Sequence, residues 1–304
     1  MKIVRTLFLV LLIVIAVAVV NGIFSVTMAR IFLNRIEREG RYLKVGEEEL
    51  FLKVLGEGKP MLMIHGFPGS HLDFSELAKL LSSNRKVYLV DLPGSGLSEA
   101  SSKGDYSRKG YAELLVDLMN LLNIEKADII GHSLGGEIAL NIGYYYSERV
   151  ENLILIDSYA FTEQKLVPDF ISSSKVLTWI AMRFYYQTYP VQRYLYTKRL
   201  GDKSYFVHEE FGKYFALVDR MSIQFLSEFI KDSDGGSLSG MLGEIDLNVL
   251  IIWGERDEIL PLDYAKKISE EIPGSTLKII EGRGHAPFID KPERVAEEIL
   301  SFLE

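Results

Sequence analysis

The sequence predicts an α/β fold in which a mostly parallel central sheet is buried between helices. Six short apolar runs, each with Gly or Asp at or beside its end, carry this prediction: "MLMIHG", "KVYLVDL", "ADIIG", "NLILID", "NVLIIWG" and "TLKIIEG". Helical patterns separate the runs, and continuous apolar runs indicate strands that are covered on both faces. With 304 residues and 48% hydrophobic content, the chain is long enough to bury a large core.

The chain begins with a long apolar stretch. Residues 7–29 carry no charge and extend roughly 35 Å as a helix, which is enough to cross a bilayer. A cleaved signal peptide is the alternative, because Lys2 and Arg5 precede the apolar run and residues 27–29 form a weak cleavage site. The length favours a retained, single-pass membrane anchor over residues 1–30.

Charges around this anchor give conflicting cues for its orientation. Five basic residues follow the span closely and two precede it, which favours a cytoplasmic body. A short basic tail before an apolar run is instead typical of exported proteins. We leave the side open, with an extracytoplasmic body preferred. The basic and apolar residues of the stem, 31–40, suit either a simple helical stem or a segment that lies along an anionic lipid surface.

The composition of the body excludes several classes of partner. Residues 1–45 contain seven basic and two acidic residues, whereas the remainder contains 27 basic and 40 acidic residues. An acidic body argues against nucleic acid, because phosphate binding requires a basic face. The absence of cysteine excludes disulfides and thiolate metal sites. We expect no cofactor and no metal, and the sequence leaves the oligomeric state open.

The order of elements predicts a core and an insertion. "RYLKV" and "LFLKVLG" are typical of an opening hairpin, and the six apolar runs follow it with helical patterns between them. The alternation lapses between about residues 159 and 246, where helical and aromatic residues dominate. The sequence therefore predicts a core formed by 41–158 and 247–304, with a helical cap over 159–246.

A serine stands at the bend between an apolar run and a helical pattern in "ADIIGHSLGGEIAL". A serine on a sharp strand-to-helix turn exposes its hydroxyl at the carboxyl edge of the sheet, where open α/β folds bind their ligands. Gly131 and Gly135 leave room for the strained turn, and the following helix places partial positive charge beside it. The pattern predicts that Ser133 is a nucleophile.

A serine nucleophile needs a base, and the chain contains five histidines. His65 and His132 lie inside turn motifs, His71 begins a helix, and His208 falls in the aromatic insertion. His285, in "EGRGHAPF", lies on a loop just after a late strand. We therefore predict that His285 is the base.

The base needs an acid that orients it, and "VLIIWGERDEILP" offers Glu255, Asp257 and Glu258 beyond a strand. The chain order of serine, acid and histidine suits this fold. We predict Asp257 as the acid. Asp157, which ends "NLILID", is the alternative, although the simpler interpretation is that it only ends that strand.

Five motifs occur in an order that is specific to one superfamily: "HGFPGS", "DLPGSGLS", "GHSLGG", "WGERDEILP" and "GRGHAPF". From about Arg41 to Glu304 the chain resembles the α/β-hydrolase superfamily. The resemblance implies that "DLPGSGLS" is a structural turn and that the insertion is a helical cap. It also implies that no cofactor is required.

The resemblance assigns a role to each candidate residue. It implies that Ser133 is the nucleophile, Asp257 the acid and His285 the base. The backbone N–H groups of Phe67 and Leu134 are then expected to form the oxyanion hole, in which one donor is worth roughly 3 to 4 kcal/mol.

The motifs leave several activities open. Serine as the nucleophile argues against dehalogenases and epoxide hydrolases, which use aspartate. It leaves esterases, lipases, carbon–carbon bond hydrolases, perhydrolases and acyltransferases. The aromatic insertion "WIAMRFYYQTYPVQRYLY" next to an anchor favours an acyl chain as ligand, although these aromatic residues equally suit the cap's own core. Membrane-anchored lipases and phospholipases are the subgroup that the chain resembles most.

Three functional hypotheses follow from the sequence. The first is a membrane-anchored serine hydrolase that cleaves lipid or lipid-like acyl esters through an acyl-enzyme on Ser133. The second is a hydrolase of small soluble carbonyl compounds, for which the anchor only sets the location. The third is a catalytically silent fold that serves as a tethered binding protein.

Overall fold

A single eight-stranded sheet forms the centre of the computed structural model, which describes residues 2–101, 105–161, 174–222, 225–226 and 237–304. The strands are β1 (Arg41–Val45), β2 (Glu48–Leu55), β3 (Lys59–Ile64), β4 (Arg85–Val90), β5 (Ala127–His132), β6 (Val150–Ile156), β7 (Val249–Gly254) and β8 (Thr276–Ile280). Their order is β1-β2-β4-β3-β5-β6-β7-β8. β2 pairs antiparallel with β1 and β4, and all other neighbours are parallel. The predicted α/β architecture is confirmed.

Helices cover both faces of this sheet. They are α1 (Lys2–Leu33), α2 (Ser75–Leu81), α3 (Arg108–Leu121), α4 (Leu134–Tyr145), α5 (Lys175–Ala181), α6 (Tyr189–Arg199), α7 (His208–Arg220), α8 (Leu262–Glu271), α9 (Pro287–Asp290) and α10 (Pro292–Phe302). Leu62 and Ile64 of β3 pack in the same core as α3, α4 and α8, whereas Met61 and Met63 pack with α2, α9 and α10. Neighbouring residues of a buried strand therefore enter different cores, which explains the continuous apolar runs.

The described part of the insertion between β6 and β7 contains α5, a π-helical turn over Met182–Tyr186, α6 and α7. Tyr189, Tyr196, Phe211 and Phe215 pack against one another with ring centroids 5.0–5.4 Å apart in the closest pairs. These aromatic residues form the core of the insertion itself. The cap limits of 159–246 remain a prediction, and residues 162–173, 223–224 and 227–236 within them lie outside the described residues.

Helix α1 is long and apolar enough over Phe8–Leu33 to cross a membrane. Its C-terminal part does not stand free, because it packs along α7 and touches the start of α6. The hydroxyl of Ser25 accepts a hydrogen bond from the backbone N–H of Tyr189 at 2.9 Å, and the Phe24 and Tyr189 rings meet edge to face with centroids 5.3 Å apart. The end of the apolar helix is therefore part of the insertion's packing.

The stem after the apolar run also packs on the protein. The Phe32 ring lies over Gly212 of α7, where a Cβ atom would come within 2.2 Å of the ring. Phe32 and Ile36 are buried, and Arg35 forms an ion pair with Glu209 at 2.8 Å. A stem that lies along a lipid surface is therefore wrong for these two apolar side chains, because the body of the protein covers them.

Candidate active site

Ser133 occupies a strained turn between β5 and α4. Its backbone has φ +52° and ψ −118°, a combination that residues with a side chain rarely adopt. Two glycines make the turn possible, because a Cβ on Gly131 would lie 2.2 Å from the carbonyl oxygen of Gly135. A Cβ on Gly135 would in turn lie 2.1 Å from the carbonyl oxygen of Ile64. The local sequence thus holds the serine at the carboxyl edge of the sheet, beside the first turn of a helix.

His285 and Asp257 form a hydrogen-bonded pair at the same edge. Nδ1 of His285 lies 2.7 Å from Oδ2 of Asp257, and both side chains are buried. The other oxygen of Asp257 accepts the backbone N–H groups of Ile259 and Leu260, at 2.7 and 2.9 Å. Both carboxylate oxygens are therefore held, so the acid fixes the orientation of the imidazole.

The other acidic candidates near Asp257 face elsewhere. Glu255 accepts a hydrogen bond from the backbone N–H of Gly282 at 2.8 Å. Glu258 forms an exposed ion pair with Lys198. Neither carboxylate is the partner of the histidine, and sequence position alone did not separate them from Asp257.

Asp157, the alternative acid, lies in the same cluster. It follows β6 in the left-handed backbone region, with φ +42°, and its Oδ1 accepts the backbone N–H of Gly254 at 2.9 Å. One side-chain atom each of Asp157, Asp257 and His285 lie within 4.8 Å of one another. Burial, with the nearby Asp257 carboxylate as second cause, raises the pKa of Asp157 well above its ordinary value. These surroundings favour the protonated form of Asp157.

These three side chains are also the described cluster of His, Asp and Glu residues that is close enough to hold a metal ion. Their polar atoms are largely committed to one another and to backbone N–H groups. The raised pKa of Asp157 disfavours cation binding, because metal ligands must be deprotonated. The donor set suits the support of a histidine base better than a metal centre.

His132, which precedes the serine, holds the histidine loop. Its Nε2 lies 2.8 Å from the backbone carbonyl oxygen of His285, and a carbonyl can only accept, so Nε2–H is the donor. Burial, with His285 nearby as the next cause, lowers the pKa of His132 well below its ordinary value. His132 is therefore neutral. Sequence reasoning assigned it only to a turn, although its place beside Ser133 in the motif is a signal that could have drawn attention to it.

The insertion is fastened to the same loop. The backbone carbonyl of Arg199, at the end of α6, accepts the N–H of Ala286 at 3.0 Å. The guanidinium of Arg199 pairs with Asp73 at 2.9 Å, and both side chains are buried. Gly201 lies so close to Gly284 that a Cβ on the latter would come within 2.6 Å of its backbone nitrogen. The insertion therefore contacts the residues that flank the predicted base.

The predicted oxyanion-hole residues lie on two sides of the serine. Leu134 is the first residue of α4, where helix geometry leaves the N–H without an acceptor inside the helix. Phe67 follows Gly66, where a Cβ would approach the Cβ of Ser133 to 3.0 Å. The Phe67 ring is stacked on Tyr186 of the insertion with centroids 6.5 Å apart. The insertion thus covers the loop that carries Phe67.

The loop "DLPGSGLS" forms a buried network around Asp91. The Asp91 carboxylate accepts the backbone N–H groups of His71 and Leu97 at 2.6 and 2.8 Å, and it lies 2.8 Å from Nδ1 of His71. Interaction with His71 lowers the pKa of Asp91 despite its burial. Such a network closes the loop on itself and ties it to the segment that begins at His71, which is the role of a structural turn.

Comparison with known proteins places the chain in a family. The model of the alpha/beta hydrolase fold family matches residues 59–177 and 175–292. The chain belongs to this family. It is therefore a hydrolase of the α/β-hydrolase type, with the serine, histidine and aspartate at the edge of the sheet described above.

Proteins similar to this alpha/beta hydrolase bear the names of several kinds of hydrolase. The 2-hydroxy-6-oxo-6-phenylhexa-2,4-dienoate hydrolase of Comamonas testosteroni is 26% identical over 279 residues, which cover 86% of this chain and 96% of the relative. A thermophilic esterase from Thermogutta terrifontis superposes with a TM-score of 0.75 and 23% identity over 86% of this chain and 98% of its own. A bacterial membrane phospholipase A superposes with a TM-score of 0.74 and 21% identity over 100% of this chain and 98% of its own. The two structural matches show a shared fold.

Proposed function

We propose that the protein is a membrane-anchored serine hydrolase that cleaves carboxylic esters of lipid or lipid-like acyl groups. The observation that carries the chemistry is the hydrogen-bonded pair of His285 and Asp257 at the sheet edge where Ser133 stands on its strained turn. Nucleophile, base and orienting acid are the three parts that acyl transfer to a serine requires.

In the proposed reaction His285 removes the hydroxyl proton as Ser133 attacks the ester carbonyl. The N–H groups of Phe67 and Leu134 hold the oxyanion of the tetrahedral intermediate. When the intermediate collapses, the C–O bond to the alcohol breaks and the histidine protonates the leaving alkoxide. Water, activated by the same histidine, then hydrolyses the acyl-serine and releases the fatty acid and the free enzyme. Asp257 stabilises the imidazolium in both steps.

The packing of α1 supports a retained anchor. Removal of residues 1–29 would delete Ser25, which accepts a hydrogen bond from the backbone of the insertion, and Ala29, which is buried in the insertion's aromatic core. A cleaved leader has no reason to complete the packing of the mature protein. The superposition with the membrane phospholipase A covers the whole chain, α1 included, and supports the same interpretation.

Labelling with a fluorophosphonate tests the proposed nucleophile. The wild-type protein should react at Ser133, whereas Ser133→Ala and His285→Ala should remain folded, resist labelling and lose at least about 10³-fold in ester hydrolysis. Ser147→Ala, at an exposed serine, is the matched control and should behave as wild type. A wild-type protein that resists the reagent would instead support the tethered binding protein.

A substrate panel tests the proposed ester class. p-Nitrophenyl esters of graded chain length, phospholipids and monoacylglycerols should show a rate that rises with acyl length and extends to lipid. A preference for the shortest soluble esters would contradict the lipid proposal while it leaves the serine hydrolase in place.

A second candidate is hydrolysis of a carbon–carbon bond in a small carbonyl compound. The relative from Comamonas testosteroni, which matches most of the chain, favours this candidate. Inclusion of 2-hydroxy-6-oxo-6-phenylhexa-2,4-dienoate in the panel separates the two functions. Turnover of this compound above the rate on every ester would replace the ester proposal.

A further inference from the structure

Helix α5 and the turn after it expose an apolar surface. The exposed side chains are those of Val176, Leu177, Trp179, Ile180, Phe184 and Tyr185, which we call the α5 patch. The opposite side of this segment is buried through Thr178 and Met182. A surface that exposes a tryptophan, a phenylalanine and three aliphatic residues within three turns is unusual for a protein surrounded by water.

The chain runs from the α5 patch directly to a contact with the apolar helix α1. Four residues after Tyr185, Tyr189 donates its backbone N–H to Ser25 and packs its ring on Phe24. The segment that carries the patch therefore reaches a direct contact with α1 four residues after the patch ends.

The level of this contact along α1 follows from helix geometry. Apolar side chains are exposed along α1 as far as Phe24, whereas beyond it Ser25 and Ala29 are buried and Ile31 is exposed. A hydrocarbon layer of about 30 Å takes up about 20 helical residues. A span that begins at Phe8 therefore ends near Thr27. The insertion meets α1 where the hydrocarbon gives way to the lipid headgroups, and Trp and Tyr prefer this layer.

We propose that the α5 patch lies in the interfacial layer of the same bilayer that α1 crosses. This proposal rests on the membrane anchoring in the proposed function. The protein then holds the membrane at two places, and the insertion has a fixed orientation on it. Tyr186, the residue after Tyr185, is partly buried and stacked on Phe67 beside the predicted oxyanion hole. The patch is thus adjacent in the chain to a residue that packs on the loop of the predicted oxyanion hole.

The two tryptophans of the chain make the proposal testable by fluorescence. Trp179 belongs to the α5 patch and is 46% exposed, whereas Trp253 in β7 is fully buried in the core. The full-length protein is reconstituted into phosphatidylcholine vesicles with or without bromine on the acyl chains. Wild-type emission minus that of Trp179→Phe gives the signal of Trp179, and Trp179→Phe alone reports Trp253.

We expect brominated chains to quench at least about half of the Trp179 emission, with bromine near the headgroup more effective than bromine near the chain end, because an interfacial segment lies only about 5–10 Å deep. Trp253 should be unaffected. Val17→Trp in the Trp179→Phe background is the positive control for α1.

Each outcome separates the proposals. Quenching at position 17 without quenching of Trp179 would overturn the membrane contact of the α5 patch and leave the anchor intact. Quenching at neither position would overturn both. Quenching at both, in a protein that hydrolyses no lipid ester in the substrate panel, would support the patch and contradict only the proposed substrate.

Discussion

Asp157 and Asp257 place their carboxyl groups together beneath His285, with one side-chain atom of each of the three residues within 4.8 Å. The two carboxyl groups come from the ends of neighbouring parallel strands, β6 and β7. Asp257 is hydrogen-bonded to the histidine, whereas burial raises the pKa of Asp157. Two acids at one site thus have different partners and different surroundings.

Asparagine substitution separates the two acids. Asp257→Asn should lower kcat by about 10³- to 10⁴-fold, because an amide cannot stabilise the imidazolium that forms in the reaction. Asp157→Asn should stay within a few-fold of wild type, since asparagine tolerates the left-handed backbone and can accept the N–H of Gly254. Steady-state kinetics on a soluble ester provides the comparison. A larger loss in Asp157→Asn would make Asp157 the catalytic acid.

Asp157→Asn should also change the dependence of stability on pH. The folded protein retains the Asp157 proton above the pH at which the unfolded chain, in which this carboxyl has an ordinary pKa of 3.8, releases it. Stability is therefore lost as the pH rises above about 4, and the loss levels off above the raised folded pKa. Asp157→Asn removes this dependence, so its midpoint of thermal unfolding should exceed that of wild type at pH 7 and approach it near pH 4. If the midpoints of variant and wild type differed by the same amount at pH 7 and pH 4, Asp157 would be ionised in the folded protein.

His132 should act as a positioning residue for the base. His132→Phe removes the hydrogen bond to the His285 carbonyl and should lower kcat by about 10- to 100-fold with little change in KM, because the loop shifts. His132→Gln retains a donor and should recover most of the rate. Fluorophosphonate labelling rates provide a second measurement. Equal losses in both variants would indicate a general packing role for the ring.

The contact of Phe32 in α1 with Gly212 in α7 predicts that substitutions at the two positions compensate each other. Gly212→Ala should lower the midpoint of thermal unfolding, because its Cβ would lie 2.2 Å from the Phe32 ring, although alanine alone favours a helix over glycine by about 1 kcal/mol. The double variant Phe32→Ala with Gly212→Ala should lose less stability than the sum of the losses in the two single variants. Additive effects would show that the two residues do not meet.

A charge in the α5 patch should affect only membrane substrate. Ile180→Glu should lower the rate on bilayer phospholipid by about fivefold or more, since a carboxylate opposes contact with the interface, and should leave the rate on a short soluble ester unchanged. Leu121→Glu, at an equally exposed leucine at the end of α3, is the matched control. Equal losses in both variants on lipid would point to a general effect of charge.

The sequence predicted the sheet well because strand ends are marked locally, by apolar runs that stop at Gly or Asp. The same marks predicted Ser133, Asp257 and His285, which all follow parallel strands and therefore gather at one edge. The raised pKa of Asp157 could not be predicted, because it depends on burial and on a neighbour 100 residues away in the chain. The contact of Phe32 with Gly212 could not be predicted either, because an apolar side chain that packs on the protein has the same local sequence pattern as one that faces lipid.

The contact between Phe32 and Gly212 makes the N-terminal helix a structural component of the enzyme, where a simple tether would be interchangeable. If a foreign apolar helix were joined to residue 41 in place of α1, the surface of α7 that Phe32 covers would be left empty. Phe211 and Phe215 would become partly exposed. Apolar substitutions on one side of α1 leave its hydropathy profile unchanged. They should nevertheless alter the packing of the insertion, which contacts the residues that flank His285. The N-terminal helix and the insertion must therefore evolve together in this chain.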